Sequence, residues 1–379
     1  MKISLFLVKI IHRILRIKGK SEFLNKTNTK SVLVSYLLIP QNKILKKFYV
    51  KNFPHNNVLN SQVIVDFFSE KGFNVYLYDY LNKAPDFTLN YDCFFGHGAS
   101  FVQITKSLNP SCLKILYLTG AYPPFTTNIL KLRKRYNELY YKANEPLFKL
   151  NINPDNYKGL QISDKLILLG NDFVKNTYPQ EIFSKIHLIN NISNIKYYNI
   201  SSNSNTKNFI YMSSIGQVHR GLDLLIRAFS KLPDSNLFVF SNFDKEADFI
   251  NNHSELILNS PNIKMIGFVD VNSTIFQSFL RKSSFVILPS ASEGQSSSVI
   301  NLMKTGLIPV ITPNTGLPNI SSYGIQIEKP TLKYVFDAIN FASNIQDAQY
   351  FSLKSKVLKT SYLFETKYFK NCFGEILSM

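Results

Sequence analysis

Short apolar runs alternate with segments of helical period along most of the chain. Several of these runs are continuously apolar, as expected of strands that are covered on both faces of a sheet. The segment 61–72, SQVIVDFFSEKG, has a helical period, and Gly72 is a typical stop signal at its end. In the first half of the chain the pattern predicts strands at 31–39, 73–79, 91–95, 113–118 and 164–169.

A stretch rich in Asn and Ser, 190–208, separates this series from a second one and is typical of an interdomain linker. Two series of βαβ type joined by a linker predict an α/β protein with two Rossmann-like domains that face a cleft. We expect a basic segment at 1–30, a first domain at 31–200 and a second domain at 201–360. In the second domain the pattern predicts strands at 208–212, 237–240, 263–266, 284–288, 308–311 and 325–327, and helices at 222–232, 245–258, 273–281, 296–305 and 331–343.

The first twenty residues, MKISLFLVKIIHRILRIKGK, combine apolar residues at helical spacing with a basic polar face. No apolar run reaches the roughly twenty residues needed to span a bilayer. No apolar core followed by a small-residue cleavage site marks a signal peptide. Two interpretations stay open: a basic amphipathic helix lying in a membrane interface, or a helix packed on the surface of the first domain.

The charge balance narrows the choice of partner. Lys and Arg number 43 against 25 Asp and Glu, a formal net charge of +18, which favours a polyanionic partner. Zinc-finger spacing, aromatic RNA-binding motifs and basic zippers are absent from the sequence, so an anionic membrane surface or a phosphorylated substrate is preferred to nucleic acid. Cys93, Cys112 and Cys372 are odd in number and lack CxxC spacing. They favour a reducing, cytoplasmic compartment over a disulfide scaffold or a thiolate metal site.

The segment 284–312, SFVILPSASEGQSSSVINLMKTGLIPVIT, carries the strongest chemical signal. It predicts a strand, a loop containing Glu293 and Gly294, a helix opened by serines, and a second strand. The free N–H groups and the dipole of a helix N-terminus form an anion site. A carboxylate beside an anion site suits a phosphorylated sugar, although an ordinary βαβ unit with a capped helix has the same bare pattern.

This segment resembles the EX7E region of retaining GT-B glycosyltransferases, written PSxxEGxxxxxxEAMAxGxPVI. In that family the first Glu contacts the donor sugar and the second contacts the nucleotide ribose. The resemblance assigns the first role to Glu293 and places Asn301 at the second position, where an amide lacks the charge of a carboxylate. The matching residues are Pro289, Ser290, Glu293, Gly294, Met303, Gly306, Pro309 and Val310.

Two further segments of the second half resemble the same family. In 209–232, FIYMSSIGQVHRGLDLLIRAFSKL, Arg220 takes the place of the diphosphate-binding Lys and Gly221 follows it, whereas an earlier family Arg falls near Ser214. Arg220 is either a bidentate phosphate ligand or a surface cation before a helix. Gly267 and Phe268 match the positions that meet the nucleobase, although a Phe after a strand is more often part of the core.

The first half resembles the family more weakly. His97 is predicted at the carboxyl end of a strand, where it either orients a sugar hydroxyl near the anomeric carbon or is a structural histidine bonded to backbone. Arg133, Lys134 and Arg135 form a basic run on a helix, for which a solvated face is the first interpretation and a phosphate-facing surface the second. The resemblance also implies that a helix at 361–379 packs back on the first domain.

We therefore expect a metal-independent glycosyltransferase without a cofactor that uses a nucleotide-diphosphate sugar. Arg220, Gly221 and the N–H groups near Ser297 and Ser298 would hold the diphosphate. The charge favours a cell-envelope glycan or lipid-linked acceptor, reached from the inner membrane face; retention is implied by the resemblance alone. A non-catalytic binding protein of the same fold, a sugar-nucleotide epimerase and a nucleic-acid-binding protein remain alternatives.

Overall fold

The computed structural model of the chain describes residues 2–53, 56–82, 85–98, 100–141, 155–195, 198–200 and 206–378. Its architecture is α/β with two sheets, which confirms the predicted fold class. Part of the predicted linker, 196–197 and 201–205, lies outside the described residues.

The first sheet has seven strands in the order β1-β3-β2-β4-β5-β6-β7, and all neighbours are parallel except the antiparallel pair β1–β3. Two edge strands were not predicted, because β1 (KSEF) is short and polar and β7 (IHLI) is only four residues long. The strands are β1 Lys20–Phe23, β2 Lys30–Tyr36, β3 Phe73–Asp79, β4 Cys93–Gly96, β5 Leu113–Leu118, β6 Lys165–Leu169 and β7 Ile186–Ile189. The helices are α1 Lys2–Lys18, α2 Lys43–Asn52, α3 Asn56–Glu70, α4 Phe101–Thr105, α5 Pro123–Tyr141, α6 Asp155–Ile162 and α7 Asp172–Lys175.

The second sheet has six parallel strands in the order β10-β9-β8-β11-β12-β13. Its four central strands are buried along almost their whole length, which explains their continuous apolar runs. The strands are β8 Asn208–Met212, β9 Asn236–Phe240, β10 Ile263–Met265, β11 Phe285–Leu288, β12 Ile308–Ile311 and β13 Ile325–Gln326. The helices are α8 Leu222–Phe229, α9 Ala247–Leu258, α10 Thr274–Lys282, α11 Ser297–Lys304, α12 Leu332–Ser343, α13 Asp347–Thr360 and α14 Thr366–Ser378.

Each sheet has a point at which the order of its parallel strands reverses direction. In the second sheet the reversal lies between β8 and β11, and in the first it lies between β2 and β4. Ligands of open parallel sheets bind at such reversals, outside the carboxyl ends of the strands. The topology thus singles out the loops after β8 and β11, which contain Arg220 and Glu293, and the loop after β4, which contains His97.

The two ends of the chain pack on the first sheet. In α14, the buried Phe373 contacts Phe67 of α3 and Phe95 of β4, with ring centroids 4.7 and 5.7 Å apart. In α1, Val8 and Leu15 are buried in the same core. Helix α1 therefore packs on the domain through one face, and its opposite face is exposed.

A buried ion pair joins the two domains. The Nη2 of Arg133 in α5 lies 2.6 Å from Oδ2 of Asp223 in α8, and both side chains are almost completely buried. Asn137 donates to the same carboxylate oxygen at 3.1 Å, and the Arg133 Nη1 donates to the Pro330 carbonyl. The interpretation of Arg133 as part of a solvated face is therefore wrong. Its partner lies 90 residues away in the chain, whereas Arg135 in the same run is exposed.

We predict that Arg133→Ala lowers the free energy of unfolding by about 3–5 kcal/mol, because it leaves the Asp223 charge buried without its cation. Chemical denaturation monitored by circular dichroism measures this loss. Arg135→Ala removes a neighbouring exposed cation and is the matched control, expected to change stability by less than about 0.5 kcal/mol. Equal effects of the two variants would contradict the assignment.

Candidate active site

The loops after β8 and β11 bring a cation and a carboxylate together at the reversal of the second sheet. Arg220 Nε lies 3.4 Å from Oε1 of Glu293, and His219 Nε2 lies 3.9 Å from the same oxygen. The backbone N–H of Ala291 donates to the His219 carbonyl at 2.9 Å, which ties one loop to the other. The guanidinium can bind phosphate, and the carboxylate can accept hydrogen bonds from sugar hydroxyls.

Gly221 makes the close approach of these loops feasible. It has a φ of 77°, in the left-handed region, and precedes α8 as its N-cap. A Cβ at this position would lie 2.5 Å from the carbonyl oxygen of Pro289. Any other residue would be strained and would push the two loops apart, so Gly221 shapes the site whether or not it contacts a ligand.

Gly294 lies against the backbone of the first domain. A Cβ there would lie 2.2 Å from the carbonyl oxygen of Thr119, in the loop after β5 of the first domain. Next to it, Ala121 N–H donates to the Glu293 carbonyl at 3.2 Å, and the hydroxyls of Thr126 and Ser292 are 2.7 Å apart. The close neighbour of Gly294 is therefore the backbone of the other domain.

The N-terminus of α11 lies in the same interdomain seam. Ser297 and Ser298 are half-buried in its first turn, and Ser296 before them makes no side-chain cap. The Ser297 hydroxyl accepts a hydrogen bond from Asn191 at 3.1 Å. The helix dipole at this end favours an anion, as the sequence suggested.

Asn301 lies one helical turn further along and its side chain is engaged within the chain. Its Oδ1 accepts from the Ser193 hydroxyl and the Asn194 N–H, both at 2.9 Å, and its Nδ2 donates to Asn194 Oδ1 at 2.6 Å. The amide anchors the start of the linker. Contact with a ribose, as predicted, would have to replace these bonds.

Gly267 and Phe268 follow the carboxyl end of β10, as Arg220 and Glu293 follow the carboxyl ends of β8 and β11. Gly267 has a φ of 93°, with open space where a Cβ would lie, and the Phe268 side chain is 56% exposed. Phe268 is thus not a core residue, which was the alternative. An exposed ring at the carboxyl end of a strand is available to stack on a flat ligand.

His97 follows β4 at the reversal of the first sheet and is half-buried. Its Nδ1 lies 2.9 Å from the Tyr117 carbonyl oxygen, so Nδ1 carries the hydrogen and Nε2 is the acceptor in the neutral ring. The rings of Tyr36 and Tyr80 pack edge-on against it at 5.4 and 5.9 Å. Burial lowers the pKa of His97, which keeps it neutral near pH 7. The hydrogen bond to backbone that is expected of a structural histidine is present. Nε2 is still able to accept a hydrogen bond from a sugar hydroxyl.

Three important residues escaped the sequence analysis. Glu246 is buried, and its carboxylate accepts from the N–H groups of Gly216 and Gln217, which fixes the loop after β8. His219 lies beside Glu293. Asn191, buried at the seam, connects α3 to α11. Only His219, next to Arg220 in the motif, had a signal in the sequence.

The described residues contain no group of three or more His, Cys, Asp or Glu side chains arranged to hold a metal ion. No described helix combines the length and the apolar composition that crossing a bilayer requires.

The chain resembles known glycosyltransferases in sequence and in fold. Residues 196–328, about a third of the chain, match the family model of glycosyl transferases group 1. That span contains Arg220, Glu293 and Asn301, and the match confirms the resemblance of the second domain at the level of the family. A search of curated proteins found no match.

Solved structures extend the likeness to both domains, with the fold of GT-B glycosyltransferases. A glycosyltransferase from Rickettsia africae is 15% identical, with 98% of this chain and 94% of that chain covered and a TM-score of 0.54. Anabaena HepE in complex with UDP and glucose is 11% identical, with 92% and 99% covered and a TM-score of 0.55. A point mutant of S. aureus TarM in complex with fondaparinux, α-GlcNAc-glycerol and UDP is 16% identical, with 76% of this chain covered and a TM-score of 0.53. This chain spans 55% of the length of TarM.

We predict that Gly294→Ala loosens the contact between the domains, because its methyl group would collide with the Thr119 carbonyl. The expected loss of stability is roughly 1–3 kcal/mol, as for other overpacked sites, with a larger radius of gyration in small-angle scattering. Gly120→Ala lies across the same contact but has open space for its Cβ, and it serves as the control. A compact, fully stable Gly294→Ala protein would refute this account of the contact.

The lowered pKa of His97 makes a prediction about pH. Because the folded-state pKa lies below the unfolded value of about 6.5, the unfolded chain binds more protons than the folded chain as pH falls. The stability that neutral His97 contributes is therefore present above pH 6.5 and is lost as pH falls towards the folded-state pKa. His97→Asn should therefore reduce the difference in unfolding free energy between pH 7.5 and pH 5.5. Urea denaturation at both pH values tests this, and an unchanged difference would show that His97 titrates normally.

Proposed function

We propose that the protein transfers a sugar from a nucleotide-diphosphate donor to a glycan or lipid-linked acceptor of the cell envelope. The observation that carries the proposal is the Arg220–Glu293 pair at the strand reversal of a group 1 glycosyltransferase domain, facing the loops of a second sheet. HepE binds UDP and glucose, and TarM binds UDP together with fondaparinux and α-GlcNAc-glycerol, which supports the same kinds of ligand here.

The donor would bind mainly to the second domain. The diphosphate would lie between Arg220 and the N-terminus of α11, with Phe268 available to the base. Phosphate would replace Glu293 as the anion at Arg220, which frees the carboxylate to accept hydrogen bonds from the sugar. His97 would approach from the first domain through Nε2.

During transfer, the bond between the anomeric carbon and the diphosphate breaks, and the oxygen of the acceptor hydroxyl bonds to that carbon. The hydroxyl proton passes to the leaving diphosphate. The leaving diphosphate takes the bonding electrons, and Arg220 together with the α11 dipole stabilises its charge. We propose that no metal is needed for this step. Retention at the anomeric carbon is likewise part of the proposal and rests on the resemblance to EX7E enzymes.

A non-catalytic binding protein of the same fold is the second candidate. Two observations favour it: Asn301 is engaged with the linker, and Ser214 supplies no cation where the family has an Arg. Transfer or hydrolysis of the donor in vitro would eliminate this candidate. A reducing sugar released without any acceptor, with its configuration changed, would instead indicate an epimerase.

We predict that Glu293→Ala and Arg220→Ala differ in the ligands they affect. Without Arg220, both the nucleoside diphosphate and its sugar conjugate should bind at least about tenfold more weakly, since a charge-assisted contact is lost. Without Glu293, the conjugate should weaken while the free nucleotide keeps its affinity. Calorimetry with UDP, GDP and ADP, and with the corresponding nucleotide-diphosphate sugars, measures both effects.

Glu255→Ala removes an exposed carboxylate on α9, away from these loops, and is the matched control. Failure of every donor to bind a folded wild-type protein would overturn the proposed function. Binding that is insensitive to both substitutions would place the donor elsewhere.

A further inference from the structure

Helix α1 has two apolar faces, and the first domain covers only one of them. Val8 and Leu15 are buried, and His12 Nδ1 lies 2.8 Å from the Tyr49 hydroxyl of α2. On the opposite side, apolar residues recur at spacings of four, four and three residues and remain exposed, up to 78% for Ile17. These exposed residues form the outer stripe: Phe6, Ile10, Ile14 and Ile17, with Leu7 beside them.

Cations line one flank of the outer stripe. Lys9, Arg13 and Arg16 are spaced four and three residues apart, so they share a face of the helix between the stripe and the domain. Together with Val8, His12, Ile17 and Phe53 they line a groove of about 550 Å³. None of the three cations forms an ion pair with an acid among the described residues.

Most of the net charge of the chain lies in the segment that contains this helix. Residues 1–53 contain twelve Lys and Arg and one acid, Glu22, and so carry +11 of the total of +18. Helix α1 itself contains no acid. Glu22 is already paired with Lys20 at 2.7 Å. An occupant of this surface must therefore be apolar on one side and anionic on the other.

We propose that α1 is the docking surface for an anionic lipid bilayer. The outer stripe enters the boundary between headgroups and acyl chains, and lipid phosphates bind Lys9, Arg13 and Arg16 in the groove. The helix is about 25 Å long and lies flat, since its inner face is fixed to the domain. It serves as an interfacial anchor and does not span the membrane.

A bilayer fits this surface better than a protein partner of similar charge. The stripe is narrow and continuous, with cations immediately beside it, and long basic side chains of this kind reach from an apolar surface to the headgroup layer. In the inner leaflet of cell membranes, apolar acyl chains lie directly beneath anionic headgroups along the whole surface. This arrangement matches the apolar stripe and the row of cations beside it.

The test is sedimentation of the protein, residues 1–379, with vesicles. The wild type should bind vesicles of phosphatidylcholine with phosphatidylglycerol and should not bind pure phosphatidylcholine. Arg13→Gln with Arg16→Gln should lower partitioning on the order of 30-fold, from about 1 kcal/mol for each basic residue at an anionic surface. Ile14→Ser with Ile17→Ser should lower it by roughly tenfold or more, because apolar area no longer enters the interface.

Matched control variants remove the same kinds of side chain from the second domain. Lys231→Gln with Lys264→Gln deletes two exposed cations, and Leu258→Ser with Ile275→Ser deletes two exposed apolar side chains. Both controls should partition like the wild type. Melting temperatures of all variants, and donor binding without vesicles, show that the fold is retained and keep this test separate from that of the proposed function.

Several results would overturn the proposal. One is partitioning that the controls reduce as much as the α1 variants, since net charge would then explain it. Another is displacement by millimolar inorganic phosphate at constant ionic strength, which would identify the groove as a site for free phosphate. A third is dimerisation without vesicles that Ile14→Ser with Ile17→Ser abolishes, which would make the stripe an interface between copies of the chain.

Discussion

The contact between the loop after β5 and the loop after β11 governs the arrangement of the whole molecule. At Gly294 the backbones of the two domains approach so closely that a methyl group has no room. The hydrogen bond from Ala121 to the Glu293 carbonyl lies at the same point. The main chain of the candidate sugar-binding residue is thereby held by the first domain, although its side chain faces Arg220 of the second. The Glu293 N–H also donates to the Asn314 carbonyl of its own domain at 2.9 Å. Movement of one domain against the other must therefore break one of these two hydrogen bonds or shift the Glu293 loop.

Much of the seam between the domains is polar and buried. The Arg133–Asp223 pair and the amides of Asn56, Asn60 and Asn191 lie in it. Buried ion pairs contribute little net stability, because desolvation offsets most of the attraction, but a mismatched partner is costly. Such a seam therefore favours one arrangement of the two domains over others, but it adds little to the net stability of that arrangement.

The sequence was sufficient for the fold and for bringing Arg220 and Glu293 to one candidate site. Continuous apolar runs identify parallel strands, and strand order then brings their following loops together. Short edge strands such as β1 escaped because four residues carry too little periodicity. The surroundings of Asn301 and Arg133 could not be predicted for another reason. A motif fixes where a residue lies on its helix, but not which distant segment packs against it. Linker residues 193–194 pack against Asn301, and Asp223 packs against Arg133.

The antiparallel pairing of β1 with β3 has a consequence for the handling of this chain. Strand β1 directly follows α1 and supplies hydrogen bonds to one side of β3 over four residues. If residues 1–30 were cut away, the backbone of β3 would lose its neighbour and present an open strand edge, rich in Tyr, Val and Leu, to the solvent. Open edges recruit strands from other molecules and promote aggregation. A chain without residues 1–30 would thus aggregate for a reason unrelated to lipid. Its sedimentation together with vesicles would then reflect self-association and not membrane binding.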